Sequence, residues 1–184
     1  MSLRPDYVDA HLGLARVMQD DNHYADAEQA AQRALALAPE KPEVHCVLGG
    51  IYADMGFPER AMAAYDAALS RDPELIRAHL GKGTLLMELG QLDVAEGCFH
   101  RALEIDPECV AARISITQVR KATRDDTNMA ALVAEGAQIA TLPRVKAMAL
   151  NFALGKCFDD VGDYDQAFAH FQAGRYPEAA SFAE

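Results

Sequence analysis

The sequence contains no tryptophan, and only 7% of its 184 residues are aromatic. A core with few large rings has to be filled by small side chains that let helices approach closely, and alanine alone occupies 35 positions. No apolar stretch reaches the ~20 residues that cross a bilayer, and the opening residues MSLRPD lack the apolar run of a signal peptide. The sequence therefore predicts a helix-rich cytoplasmic protein.

Basic residues are also scarce. Lys and Arg together number 17 against 28 Asp and Glu, which gives a formal net charge of -11. Nucleic acids and anionic membranes bind positively charged surfaces, so the charge predicts neither as a partner. A protein or peptide with basic side chains is a more natural partner for this chain.

Motifs for catalysis and cofactor binding are lacking as well. The sequence has no H-E-x-x-H motif, no nucleophile elbow and no glycine loop after a strand. The four cysteines form no C-x-x-C pair and lie among small apolar residues, which favours a packing role for Cys46, Cys98, Cys109 and Cys157. We therefore predict that the chain is not an enzyme and holds no cofactor or metal.

A repeat runs through much of the chain. Pro39, Pro73 and Pro107 are equally spaced, with a period of ~34 residues, and each closes an apolar helical segment. Counting back from each proline aligns Leu14-Ala15 with Leu48-Gly49 and Lys82-Gly83, Ala27 with Ala61 and Ala95, and Ala31 with Tyr65 and Phe99. Three copies that share one period indicate an array of antiparallel helix pairs.

This pattern resembles the tetratricopeptide repeat, which implies an all-α fold, a right-handed α-solenoid of antiparallel helix pairs. We assign repeats to 8–41, 42–75 and 76–109, a degenerate helix pair to 110–147, and a further repeat to 148–181, whose tail is interrupted at Pro177. The step from Gly83 to Gly155 exceeds two periods by four residues. We expect the four extra residues to lengthen a loop near 123–127 or 141–144.

Three other patterns have both a chemical and a packing interpretation. Residues 81–84, GKGT, resemble the end of a phosphate-binding loop, but the first glycine of that motif is missing. His11, His45 and His79 recur at one repeat position, where stacked helices would hold them ~10 Å apart, too far to share a zinc ion. The acidic cluster in 159–165 does not match a calcium loop. We interpret all three as structural.

The resemblance implies a concave groove lined by the first helix of each pair. The residues that the repeat offsets place on its inner face are Leu12, Arg16, Gln19, Asp20, Gly50, Asp54, Leu80, Thr84, Met87, Glu88, Phe152, Lys156 and Asp160. One row of these is acidic, namely Asp20, Asp54, Glu88 and Asp160. Such a row is either a solvated face or a surface that attracts Lys and Arg.

Family members that hold chaperone C-termini use a clamp of Lys, Arg and Asn, which this groove mostly lacks, since only Arg16 and Arg77 remain. We therefore predict a non-catalytic scaffold that binds a protein or peptide with basic and apolar side chains. The sequence does not predict an oligomeric state.

A second interpretation concerns a larger enzyme. Residues 150–171 are similar to the final repeat that precedes the catalytic domain in bacterial sulfotransferases with tetratricopeptide repeats. If this resemblance holds, the chain is the non-catalytic N-terminal arm of such an enzyme, and we expect an α/β domain after Glu184.

Overall fold

The computed structural model describes residues 5–175, with side chains from Tyr7 onward. Its α-helices are α1 (Pro5–Asp20), α2 (Tyr24–Leu37), α3 (Pro42–Asp54), α4 (Pro58–Arg71), α5 (Ile76–Glu88), α6 (Leu92–Ile105), α7 (Val110–Val119), α8 (Thr127–Gly136), α9 (Arg144–Asp160) and α10 (Tyr164–Arg175). A short 3-10 helix covers Ile139–Thr141, and residues 5–175 contain no strand. The all-α prediction is confirmed.

The chain divides at Pro107 into two compact units. The first unit contains α1 to α6 and the second contains α7 to α10. In the first unit α3 and α5 begin at Pro42 and Ile76, which are one repeat period apart. The end of the predicted last repeat, residues 176–181, lies outside the described residues.

The two helices of a pair are joined by the same tight turn in four places. One residue of each turn has a positive φ, a conformation open to glycine and tolerated by asparagine. These residues are Asn22 (φ 61°), Gly56 (75°), Gly90 (75°) and Gly162 (79°). The following amide donates to a carbonyl five residues earlier, as His23 does to Met18 at 2.7 Å. This bond satisfies a carbonyl at the end of the first helix.

Aromatic rings of the second helices lie directly against glycines of the first helices. A Cβ added at Gly83 would be 2.5 Å from the Phe99 ring, and one added at Gly155 would be 2.6 Å from the Phe171 ring. These distances are shorter than close packing allows. Any larger residue at Gly83 or Gly155 would therefore clash with the ring that packs against it.

The Tyr65 ring packs in the same way against two glycines. A Cβ at Gly49 would come within 2.7 Å of the Tyr65 ring, and one at Gly81 within 2.6 Å. Lys82, between the glycines of the GKGT segment, donates to Asp66 Oδ1 at 2.6 Å. Packing thus explains both glycines of this segment, and the lysine forms an ion pair at the edge of the core.

The recurring histidines join successive helix pairs. His45 Nε2 lies 2.7 Å from the carbonyl oxygen of Pro39, and His79 Nε2 lies 2.9 Å from that of Pro73. A carbonyl can only accept, so Nε2 carries the proton in both rings. Each histidine therefore fixes the start of its helix to the proline that closes the preceding repeat.

The loop between α7 and α8, residues 120–126, is longer than the turn 55–57, as expected near 123–127, and α9 has 17 residues where α5 has 13. Helix α9 begins at Arg144, one repeat period after α7 begins at Val110, so its start keeps the register of the repeats. Gly155, however, is four residues further from Arg144 than Gly83 is from Ile76, the first residue of α5. Counted back from its glycine, α9 therefore starts one turn earlier than α5, and the predicted boundary between 147 and 148 falls inside this helix.

Candidate functional site

Nine of the predicted groove residues of the first unit are accessible, and they lie on α1, α3 and α5. Four of them are exposed, namely Asp20, Asp54, Thr84 and Glu88, and five are half-buried, namely Arg16, Gln19, Gly50, Leu80 and Met87. Leu12 is different, because only 3% of its surface is exposed and it packs in the core formed by α1, α2 and α3. The assignment of Leu12 to the groove is therefore corrected, since a core side chain cannot contact a ligand.

Three carboxylates form the exposed acidic row of the first unit, Asp20, Asp54 and Glu88. Within the part of the chain that the structure describes, none of them forms an ion pair. Gln19 Nε2 donates to Asp54 Oδ2 at 2.6 Å, a hydrogen bond between α1 and α3. This bond leaves the charge of Asp54 in place, so the row can still attract a cation.

Tyr65 lies beneath this row. Its hydroxyl would be 3.7 Å from a Cβ added at Gly50, so the ring extends from α4 toward the first helices. Burial raises the pKa of Tyr65, and Cys46, Asp54 and Glu88 raise it further. The hydroxyl therefore stays protonated at neutral pH and adds no charge to the row.

The cysteines are buried or half-buried thiols. Burial raises the pKa of Cys46 although Arg16 and Arg77 act in the opposite direction, and burial raises the pKa of Cys157 to about 11. Neutral thiols are poor metal ligands and poor nucleophiles. Among residues 5–175 no three His, Cys, Asp or Glu side chains are placed so that they could hold a metal ion.

The second unit contains an open apolar cavity between α7 and α9, with a volume of about 540 Å³. Phe152 and Lys156, two predicted groove residues, lie in its wall. The remaining wall residues are Ile114, Thr117, Gln118, Ala149, Ala153 and Phe171. A cavity of this size can take one or two large apolar side chains, and Lys156 lies at its edge as a polar group.

Two aromatic rings line this cavity. The ring centroids of Phe152 and Phe171 are 6.3 Å apart, with the planes inclined by 40°. Phe152 is exposed although it is a large apolar side chain. An exposed ring in the wall of an apolar cavity is typical of a binding site.

Asp160 does not resemble the other three members of the predicted acidic row. Its carboxylate accepts from Lys156 Nζ at 2.6 Å and from the backbone amide of Ala122 at 3.0 Å. The Asp160 side chain is only 9% exposed. Asp160 and Lys156 therefore neutralise each other, and Asp160 holds the loop after α7 instead of facing a ligand.

A cluster that the sequence did not predict joins α2, α3 and α4 in the first unit. Glu28 accepts from Arg60 at 2.8 Å and from the Tyr52 hydroxyl at 3.2 Å. The Arg60 guanidinium lies over the Tyr52 ring, 3.9 Å from its centroid. Glu28 and Arg60 are 32 residues apart in the sequence, so the repeat period is the signal that could have placed these two residues on neighbouring helices.

In the described part of the chain, no helix has the length and apolarity needed to span a bilayer.

Solved structures with similar folds include Pseudomonas aeruginosa PilF, with a TM-score of 0.70 and 17% identity over 92% of this chain and 77% of that one. The second TPR domain of human RPAP3, in complex with an HSP70 peptide, has a TM-score of 0.54 and 18% identity over 62% and 98%. Thermobaculum terrenum O-GlcNAc transferase has a TM-score of 0.65 and 22% identity over 76% and 28%.

No curated protein sequence matches this chain. Two tetratricopeptide repeat models match it, one over residues 12–76 and the other over residues 52–116. Together they span residues 12–116, which is more than half of the chain. These matches agree with the turns, glycine contacts and helix starts that recur once per period in the first unit. The chain belongs to the tetratricopeptide repeat family.

Proposed function

We propose that this chain is a protein-interaction scaffold that binds a peptide segment along its first helices. The observation that carries the proposal is the open cavity between α7 and α9, in whose wall Phe152 is exposed. An apolar side chain of a partner would be buried there against Phe152 and Phe171. Burial of one such side chain contributes about 1.5–3 kcal/mol.

The acidic row of the first unit supports a preference for basic side chains. Asp20, Asp54 and Glu88 are exposed, and equivalent positions on neighbouring first helices are ~10 Å apart. A Lys or Arg near two such carboxylates gains from both at low salt, because screening acts over ~10 Å at 0.1 M. The net charge of -11 works in the same direction by raising the association rate of a basic partner.

The similarity to the human RPAP3 domain gives independent support. That domain was solved with a bound HSP70 peptide. Its peptide, SGPTIEEVD, is acidic, whereas the row in this chain favours a basic one. We propose that this chain shares peptide binding with that domain and differs from it in ligand charge.

The test uses peptides selected from a displayed random library against the purified chain, then synthesised with a fluorescent label. We expect the selected peptides to be rich in Lys or Arg and in large apolar residues. Raising salt from ~0.05 to ~0.5 M should weaken their binding at least several-fold. The double variant Asp54→Lys, Glu88→Lys should weaken it further, mainly by slowing association.

A matched control reverses two exposed acids on the second helices, in the variant Glu59→Lys, Asp93→Lys. These residues are also one repeat period apart and exposed, so the change in net charge is the same. If this control weakens binding as much as the groove variant does, net charge and not the groove attracts the peptide. An affinity that changes neither with salt nor in either variant would contradict the proposed preference for basic peptides.

We also propose a cytoplasmic location, because the four cysteines are unpaired, as is usual in reducing compartments. The alternative function is a non-catalytic arm of a larger bacterial sulfotransferase. It rests on the resemblance of residues 150–171 to such arms. A reading frame that continues past Glu184 into an α/β domain would favour this alternative.

A further inference from the structure

Helix α1 has an exposed apolar stripe at the start of the first unit. Tyr7, Leu14 and Val17 recur at helical spacing on one side of α1, and all three are exposed, Val17 by 55%. Helical spacing also places Ala10 on this stripe, and that residue is exposed too. Large apolar residues arranged in this way indicate a surface that another element covers.

The repeat shows what kind of element that is. The residues of α3 that match Ala10 and Val17 are Val44 and Ile51, and neither has any exposed surface. Both pack in a cluster with alanines of α2, the second helix of the preceding pair. The stripe on α1 is therefore the face that takes the second helix of a preceding pair.

Helix α10 has the complementary face at the end of the second unit. Tyr164 and Phe168 lie one turn apart on α10 and are exposed, Phe168 by 63%. In the second helices α2 and α4, the residues that match Phe168 are Glu28 and Met62. Each is half-buried and packs against residues of the next pair. The face of α10 with Tyr164 and Phe168 is therefore the one that a following first helix covers.

We propose that copies of this chain associate end to end, with α10 of one copy packing on α1 of a second copy. This contact would reproduce between copies the packing that already joins α2 to α3. Glu28 in the first turns of α2 bonds to Tyr52 near the end of α3, so these helices run antiparallel.

The same arrangement gives the contact between copies an apolar centre. Phe168 and Met18 occupy the repeat positions of Glu28 and Tyr52, so Phe168 of one copy would lie against Met18 of the other. Met18 is half-buried at the edge of the first core, which leaves part of its side chain for this contact. A thioether packs favourably against an aromatic ring, so the polar pair inside the chain is replaced by an apolar pair between copies.

Sedimentation velocity of the purified chain over a range of concentrations tests this proposal. A head-to-tail contact uses two different surfaces, so the mean mass should keep rising beyond that of a dimer as concentration increases. The variants Val17→Glu and Phe168→Glu should each weaken association by about tenfold or more, because each places a charge in the contact. A wild-type chain that stays monomeric at all concentrations would overturn the proposal.

A mixing experiment distinguishes this contact from a symmetric dimer. Val17→Glu keeps the α10 face and Phe168→Glu keeps the α1 face, so an equal mixture should form a dimer that grows no further. If either variant alone still associates like the wild type, the contact is not the one proposed. Val145→Glu, at an exposed valine of α9, is the matched control and should associate like the wild type. Circular dichroism should show equal helix content for all four proteins.

Discussion

Replacing Phe99 with alanine is expected to lower the free energy of unfolding of the first unit by about 3–5 kcal/mol. Phe99 has no exposed surface and is among the largest fully buried side chains of the described chain. Its ring lies against the backbone at Gly83, which has no side chain. We therefore expect the cavity left by the Phe99 ring in the alanine variant to stay unfilled. Urea unfolding followed by circular dichroism measures the loss as a lower midpoint.

The contact with Gly83 gives this prediction an internal check. In the wild type, Gly83→Ala should cost about 1–3 kcal/mol, because the new Cβ would meet the Phe99 ring. In the Phe99→Ala background the same change should cost nothing, or gain up to ~1 kcal/mol from helix propensity. Gly97→Ala is the matched control, since a Cβ there meets no atom within 4 Å. An equal cost of Gly83→Ala in both backgrounds would contradict the proposed contact.

This ring and glycine pair shows how much of the fold can be predicted from the sequence. The period aligns Phe99 with Tyr65, and Gly83 with Gly49, without knowledge of any contact. A helix pair has few ways to bury a large ring, so a small residue has to lie opposite it. The second contact of Tyr65, with Gly81, was not predicted, because it joins neighbouring repeats and the matching position of the second repeat is Val47.

The extra turn of α9 was not predicted because a residue count does not show where an insertion is placed. Four residues are close to the ~3.6 of one helical turn, so a helix can take them up at its end and keep its apolar face in register. The segment 144–147 continues α9 in this way. The sequence is consistent with either a longer loop or a longer helix.

The candidate site was predicted less completely than the fold. The repeat offsets place Phe152 and Lys156 on the inner face of α9, but they do not give the opposite wall of the cavity, with Ile114 and Thr117. Thr117 stands where other repeats have a small Ala or Gly, so the sequence predicts a degenerate α7 without groove residues. Leu12 was assigned by repeat offset alone, which gives a position on a helix and not the burial of the side chain.

Asp160 was also assigned to the groove by its repeat offset. The structure shows instead that it accepts hydrogen bonds from Lys156 and Ala122, and these bonds give the second prediction. Asp160→Ala is expected to lower the free energy of unfolding of the second unit by about 1–3 kcal/mol, because Lys156 and the Ala122 amide both lose their acceptor. Asp159→Ala, the exposed neighbour, is the control and should change stability by less than about 0.5 kcal/mol. Thermal or urea unfolding of both variants measures the difference.

The contribution of Asp160 should also depend on pH. Burial acts to raise the pKa of this carboxyl, but the hydrogen bonds from Lys156 and Ala122 outweigh it and hold the pKa below its ordinary value. Because the folded pKa is lower than the unfolded one, the stabilisation is complete above about pH 5 and is lost as the pH falls through the folded pKa. The stability difference between the wild type and Asp160→Ala should therefore be constant from about pH 7 to about pH 5 and shrink at lower pH. A difference that stays unchanged down to about pH 3 would show that the ionised carboxylate is not its source.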